Sequence, residues 1–213
     1  MELTVFGATG GTGLHVVRQA LAAGHAVTAV VRDPARLPAG LRDTIEVVRA
    51  DVMDPGAIEG AVKGRDAVIT AMGTREGNKP TTVCADSVRS IMKAMEAAGT
   101  RRLLMVSASG LATDSGDGPL TRYVVKPLIV QKMLRHAFAD MTEAERRVRA
   151  GGLDWTIVRP PQLTDKPPKG TYRRATDLNV RGGLRITRAD LATALLDLLD
   201  EDASIGHVVS VAN

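Results

Sequence analysis

The sequence predicts an α/β protein: a doubly wound parallel sheet with helices on both faces, folded as a single domain over residues 1–213. Three observations carry that expectation. Apolar runs of strand length alternate along the chain with segments of helical periodicity, an alternation that produces parallel strands joined by right-handed crossovers. Two of the runs, Asp66 to Met72 and Leu103 to Val106, are apolar nearly throughout, as strands covered on both faces must be. Met1 to Arg32 holds strand, glycine turn, helix and strand in the length of one βαβ unit.

The elements follow in order. Leu3 to Phe6 is the first strand, and it runs into Gly7-Ala8-Thr9-Gly10-Gly11-Thr12-Gly13. Leu14, Val17, Ala20 and Leu21 form the apolar stripe of a helix that stops at Gly24. Ala26 to Val31 is the second strand. Asp33 caps a short helical turn with Pro34 at its first position. Thr44 to Arg49 is the third strand, and Asp54-Pro55 opens a helix through Val62 that ends near Gly64. After the strand from Asp66, Thr81 or Thr82 caps a long helix to Ala98, closed by Gly99. The strand Leu103 to Val106 leads into a polar loop, Ser107 to Pro119. Leu120 to Ala150 reads as mostly helical, interrupted at Pro127. Trp155 to Val158 is a strand that Arg159-Pro160-Pro161 ends abruptly. Gln162 to Gly183 reads as a long loop with a short edge strand near Tyr172. Thr187 and Asp190 have the spacing of a capping box before the helix Leu191 to Leu199, and His207 to Val211 is the last strand.

Composition narrows the function classes. The net charge of +4 is mild, and no cluster of lysine and arginine is interleaved with aromatics, which argues against a nucleic-acid surface. The single cysteine, Cys84, leaves no internal disulfide and suits a reducing cytosol, so a cytoplasmic protein is expected. The first strand begins almost at Met1, leaving no space for a signal peptide, and no apolar run approaches the ~20 residues of a membrane span. His15, His25, His136 and His207 are scattered without metal-ligand spacing. Cys84, with no histidine beside it, reads as a buried thiol, and Trp155 as core. Nothing in the chain demands a partner, so a monomer or small homo-oligomer is expected.

In a parallel sheet the ligand lies beyond the carboxyl ends of the strands, so the loops there are where function is sought. The first has the spacing G-x-x-G-x-x-G. Gly7 turns the chain off the strand, Gly10 lets a diphosphate approach the backbone, and Gly13 lets the helix pack closely. With Thr9, Gly11 and Thr12 they form a dinucleotide-binding loop whose helix presents unpaired N–H groups and a positive dipole end. Arg32 at the tip of the second strand, with Arg36 a turn later, selects a 2′-phosphate and so NADP (NADPH) over NAD, by bidentate charge-assisted bonds. The alternatives are that Arg32 is a solvated charge and that Asp33 holds the ribose. Met72-Gly73-Thr74 follows the fourth strand, where such folds pass close to the cofactor, and Gly73 permits that approach unless it is an ordinary loop glycine.

GATGGTG followed by VVRDPARL resembles the atypical short-chain dehydrogenase/reductases, a Rossmann-type group. Gly73-Thr74-Arg75 with Pro80-Thr81-Thr82-Val83, then Arg159-Pro160-Pro161 and Gly170-Thr171-Tyr172, make the chain most similar to the NADPH-dependent flavin reductase / biliverdin reductase B proteins. The resemblance implies that Asp51 contacts the adenine amino group and that Val52 supports the ring, although a turn before Met53-Asp54-Pro55 would also use Asp51. It also implies that Ser107 and Pro160 lie among the cofactor contacts. The family's active serine falls on Ala108 in a gapless match, leaving Ser109 as the substitute catalytic donor, and Glu145 stands where a histidine is expected. Tyr123 and Lys126 are three positions apart with Pro127 next, so the Tyr-x-x-x-Lys pair of short-chain dehydrogenases is absent. Hydride transfer to a flavin, quinone or tetrapyrrole is therefore expected, because the proton can come from water. The alternatives are a catalytically silent NADP(H)-binding regulator resembling the NmrA-like proteins, or another reductase, dehydratase or epimerase on this fold.

Overall fold

The computed structural model describes residues 1–74, 79–118 and 134–213. In chain order the elements are β1 Glu2–Phe6, α1 Gly11–Ala22, β2 Ala26–Val31, α2 Ala39–Arg42, β3 Glu46–Arg49, α3 Pro55–Val62, β4 Ala67–Thr70, α4 Val83–Ala98, β5 Arg102–Val106, α5 Arg135–Ala150, β6 Asp154–Arg159, β7 Gln162–Thr164, β8 Arg173–Thr176, β9 Arg185–Thr187, α6 Arg188–Asp197 and β10 His207–Ala212. The large sheet has the order β3-β2-β1-β4-β5-β6-β10-β8. Every pairing from β3 to β10 is parallel, and β8 runs antiparallel along the β10 edge. The chain leaves β1 toward β2 and returns to β4 on its other side, so the order reverses between β1 and β4 and opens a crevice at their carboxyl ends.

Side chains alternate across the strands into two apolar layers. Leu3 and Val5 of β1 pack with Val16, Val17 and Ala20 of α1 and with Leu191 and Leu195 of α6. Phe6, pointing the other way, joins Ile58 and Val62 of α3, Val88, Ile91 and Met95 of α4, and Ala144 and Val148 of α5. Full burial of each of the larger side chains among these is worth about 1.5–3 kcal/mol, so both layers hold the sheet, as a doubly wound single domain requires.

Several boundaries move for local reasons. Thr44 does not start β3: its hydroxyl and its N–H both donate to Leu41 O, closing the short helix α2. α6 begins at Arg188, and its capping box is only half formed. Thr187 Oγ1 accepts the Asp190 N–H, but Asp190 turns its carboxylate to the Lys169 and Gly170 amides, while Thr187 N–H donates to Asn213 Oδ1. Neither threonine caps α4 in the expected manner. Thr82 makes no side-chain cap, Thr81 Oγ1 accepts only the Val83 N–H, and the helix end is closed from outside. Asp140 of α5, 5% exposed, accepts the Cys84 and Ala85 N–H groups at 2.9 and 2.8 Å. The loop after β6 holds β7, which pairs with β9 in a two-stranded parallel ladder. The helix expected from Leu120 is described only as α5, and Tyr123, Lys126 and Pro127 lie outside the described residues.

Candidate cofactor and substrate site

The glycine loop is shaped by contacts that no side chain could share. Gly7 has φ +81°, and a Cβ there would stand 2.7 Å from the carbonyl oxygen of Ala71, just past β4. A Cβ on Gly13 would fall 2.2 Å from Gly7 O, so this glycine lets α1 close on its own loop as well as on the sheet. Gly10 N–H donates back to Gly7 O, and the first N–H to return into α1 is that of Leu14, to Gly10 O. The amides of Gly11, Thr12 and Gly13 between them form the open end of the helix, and no acidic residue occupies its first turn. A phosphate anion fits this end by charge and by donor supply. Ala8 and Thr12 are buried, Thr9 is half-buried, and Gly11 is exposed.

Past β2, Arg32 and Arg36 are both exposed, and neither forms an ion pair among the described residues. Asp33 is spent locally, with Oδ1 accepting the Ala35 N–H at 3.0 Å as the cap of the Pro34–Arg36 turn. Past β3, Asp51 Oδ1 accepts the Met53 N–H, and Val52 is buried in the second apolar layer beside Phe6 and Val30. Past β4, Met72 packs on that same layer, Gly73 is exposed and Thr74 half-buried, while Arg75 lies outside the described residues.

Past β5 the structure adds a cluster that sequence reasoning did not assemble. Ser107 is buried, and its hydroxyl donates to Glu145 Oε1 at 2.6 Å. Glu145, 2% exposed, also receives Arg159 Nε at 2.8 Å on Oε1, and Arg159 Nη2 and Arg149 Nη2 on Oε2. Burial alone would push the Glu145 carboxyl up, but the hydrogen bond and charge of Arg159, with Ser107 and Arg149, outweigh it and hold the group below its ordinary range. The histidine expected at this position is thus replaced by an anion that locks the Arg159 fork. A signal for it existed: Asp140 and Glu145 sit among Ala144 and Val148 on the inward stripe of α5, where an acid must have a partner. Burial, and after it Asp140, pushes the Cys84 thiol up to about 12, which keeps it protonated and inert near neutral pH.

Beyond the ends of β5, β6 and β10 lies a cleft of about 890 Å³, lined largely by apolar groups that include Ala108, Pro160, Pro161, Val180 and Leu184. Arg159 and Ser109 face it too, and Ser109 N–H donates to Pro160 O, joining the loops that follow β5 and β6. The outer wall is clipped across the chain. Asp114 accepts Asn179 N–H and Nδ2, Asp117 accepts the same Nδ2, and Gly116 packs so tightly that a Cβ would meet Asn179 O at 1.9 Å. Among the described residues no group of histidine, cysteine and acids could hold a metal, and no helix is long and apolar enough to cross a membrane.

Comparisons with known proteins agree with this layout. A family model described as NAD(P)H-binding matches residues 7–202. The uncharacterized protein YwnB of Bacillus subtilis is 27% identical over 206 residues, 94% of this chain and 92% of its own length. A short-chain dehydrogenase/reductase of Veillonella parvula, solved in complex with NADP, superposes with a TM-score of 0.80 at 21% identity, covering 100% of this chain and 94% of that one. ChuY, an anaerobillin reductase from Escherichia coli O157:H7, gives 0.80 at 23% identity, covering 100% and 97%. With its glycine loop and sheet order in agreement, the chain belongs to the NAD(P)H-binding family that this model describes.

Proposed function

We propose that the protein is an NADPH-dependent reductase that delivers hydride to a flat, conjugated acceptor of the flavin, quinone or tetrapyrrole class. The observation that carries this reading is the broad apolar cleft beyond β5, β6 and β10, whose described lining contains no tyrosine or histidine. NADPH, when bound, supplies the hydride. The residues of this chain do the rest: the α1 end takes the diphosphate, and Arg32 with Arg36 takes the 2′-phosphate. Asp51 and Val52 border the adenine, and Met72, Gly73 and Thr74 pass beneath the second ribose. Ser107, held by Glu145, keeps its oxygen lone pairs for the cofactor side, and Pro160 closes the wall between cofactor and cleft. Arg159, fixed in direction by Glu145, presents positive charge at the cleft floor, where a reduced acceptor gathers negative charge. Ser109, on the loop after β5, lines the cleft and is the hydroxyl assigned to donate to an acceptor atom.

A ketone needs a proton near its transition state, whereas a reduced flavin or a hydroquinone can take one from water. A flat acceptor stacked over the cleft floor therefore demands less of this site than a ketone does. The presence among fold relatives of a protein named as a reductase and of another carrying NADP supports the reading. The test follows nicotinamide absorbance with NADPH and, separately, FMN, a small quinone, a linear tetrapyrrole and simple ketones. Oxidation with one or more of the first three and little with ketones is expected, and Ser109→Ala lowers the rate only modestly. Tight NADPH binding with no turnover on any of them would replace the enzyme with a silent redox sensor.

A further inference from the structure

Gly11 is the first residue of α1, yet its surroundings are not empty. A Cβ built there would fall 2.6 Å from Arg188 Cδ and 2.8 Å from Arg188 Nε. The arginine side chain thus lies along the backbone of the glycine loop at the open end of the helix, in space that any residue but glycine would take.

Its anchor is firm. Arg188 is the first residue of α6, which is set by the Thr187 cap on Asp190 N–H and by the bond from Thr187 N–H to Asn213. α6 is in turn bound to α1 through Gln19, whose amide donates to Ala189 O and accepts the Thr193 hydroxyl. Among the described residues the guanidinium itself is held by Asp165, whose side chain is 83% exposed, in an ion pair of 2.7 Å. An ion pair with a solvated carboxylate contributes little and is easily exchanged, whereas a guanidinium on a phosphate makes paired charge-assisted bonds. The loop from Gly7 to Gly13 carries no charged side chain of its own, and Arg32 and Arg36 stand at the tip of β2, toward the 2′-phosphate.

We propose that Arg188 is a cationic ligand of the cofactor's diphosphate, and that Asp165 holds it in readiness until the phosphate replaces the carboxylate. The inference rests on the dinucleotide reading of the glycine loop and adds to it a contact from the far end of the chain.

Calorimetric titration with three probes tests it: NADPH, NADH and adenosine 2′-monophosphate, which carries the 2′-phosphate but no diphosphate. Arg188→Ala is expected to weaken NADPH and NADH alike by about 10-fold or more, the loss of a charged hydrogen bond, and to leave the monophosphate unchanged. Asp165→Asn is expected to tighten both dinucleotides by roughly 2- to 5-fold by removing the competitor carboxylate. Arg188→Ala with unchanged dinucleotide affinity would overturn the inference alone. So would a loss that extends equally to the monophosphate, since the arginine would then be supporting the site's shape. A parent protein that binds neither dinucleotide overturns the cofactor reading itself, and this inference with it.

Discussion

Arg32 shows how much one residue decides when its neighbours are already committed. Asp33, the acid that would favour a ribose hydroxyl, gives Oδ1 to the Ala35 N–H as the cap of the Pro34–Arg36 turn. An exposed arginine costs nothing to desolvate before a ligand arrives, and its charge-assisted bonds to a phosphate are worth about 1.5–3 kcal/mol. Arg32→Ala is therefore expected to cost about 1–3 kcal/mol of NADPH affinity while leaving NADH affinity nearly unchanged. Titration of both cofactors against parent and variant checks this, and equal losses for the two would remove Arg32 as the reader of the 2′-phosphate. Arg188 differs in this respect: Arg32 is expected to separate the two cofactors, and Arg188 to treat them alike.

At the scale of elements, α4 depends on α5 for its beginning. The first amides of a helix lack internal partners, and here those of Cys84 and Ala85 belong to buried residues. Thr81 supplies one bond at the rim, and the carboxylate of Asp140 supplies the two inner ones across a sequence gap of 56 and 55 residues. Asp140→Ala leaves two buried donors unsatisfied and is expected to destabilise the fold by about 1–3 kcal/mol, with Asp140→Asn losing less because its amide oxygen still accepts. Urea unfolding of the two variants checks the order. An alanine variant as stable as the parent would mean that the α4–α5 contact is held by the packing of Val88, Ala144 and Val148 and by the bonds of Arg147 to Ala85 O and Asp86. Thr82 stands at the cap position that the sequence indicates, but the bonds come from elsewhere: a local rule looks only at the residues before a helix, and this partner arrives from the next one.

For the whole molecule, what could be read from the sequence is what is written within a few adjacent residues. The glycine loop, the basic tip of β2, the Asp54-Pro55 helix start and the apolar strands all qualify, and together they imply the sheet. The walls of the cleft do not qualify, because they depend on chain segments meeting: Asp114 with Asn179 at a separation of 65 residues, Ser107 with Glu145 at 38, Arg159 with Glu145 at 14. Glu145 therefore joins β5, β6 and α5, and its ionisation should be felt by the cooperative fold as a unit. Its carboxyl is held below the ordinary 4.5, so the unfolded chain binds that proton more readily than the folded one. The stability it contributes is complete above the unfolded value and drains as pH falls through the lower folded value. Glu145→Gln leaves the Arg159 guanidinium half-buried without its anion, a loss on the order of 3 kcal/mol near neutral pH. As the solution is taken from about pH 7 to about pH 4 and below, the parent should lose this advantage and the two melting curves should converge. Melting temperatures recorded in parallel across that window decide it. A difference that stays constant with pH would show that Glu145 acts through packing and hydrogen bonds that do not depend on its charge.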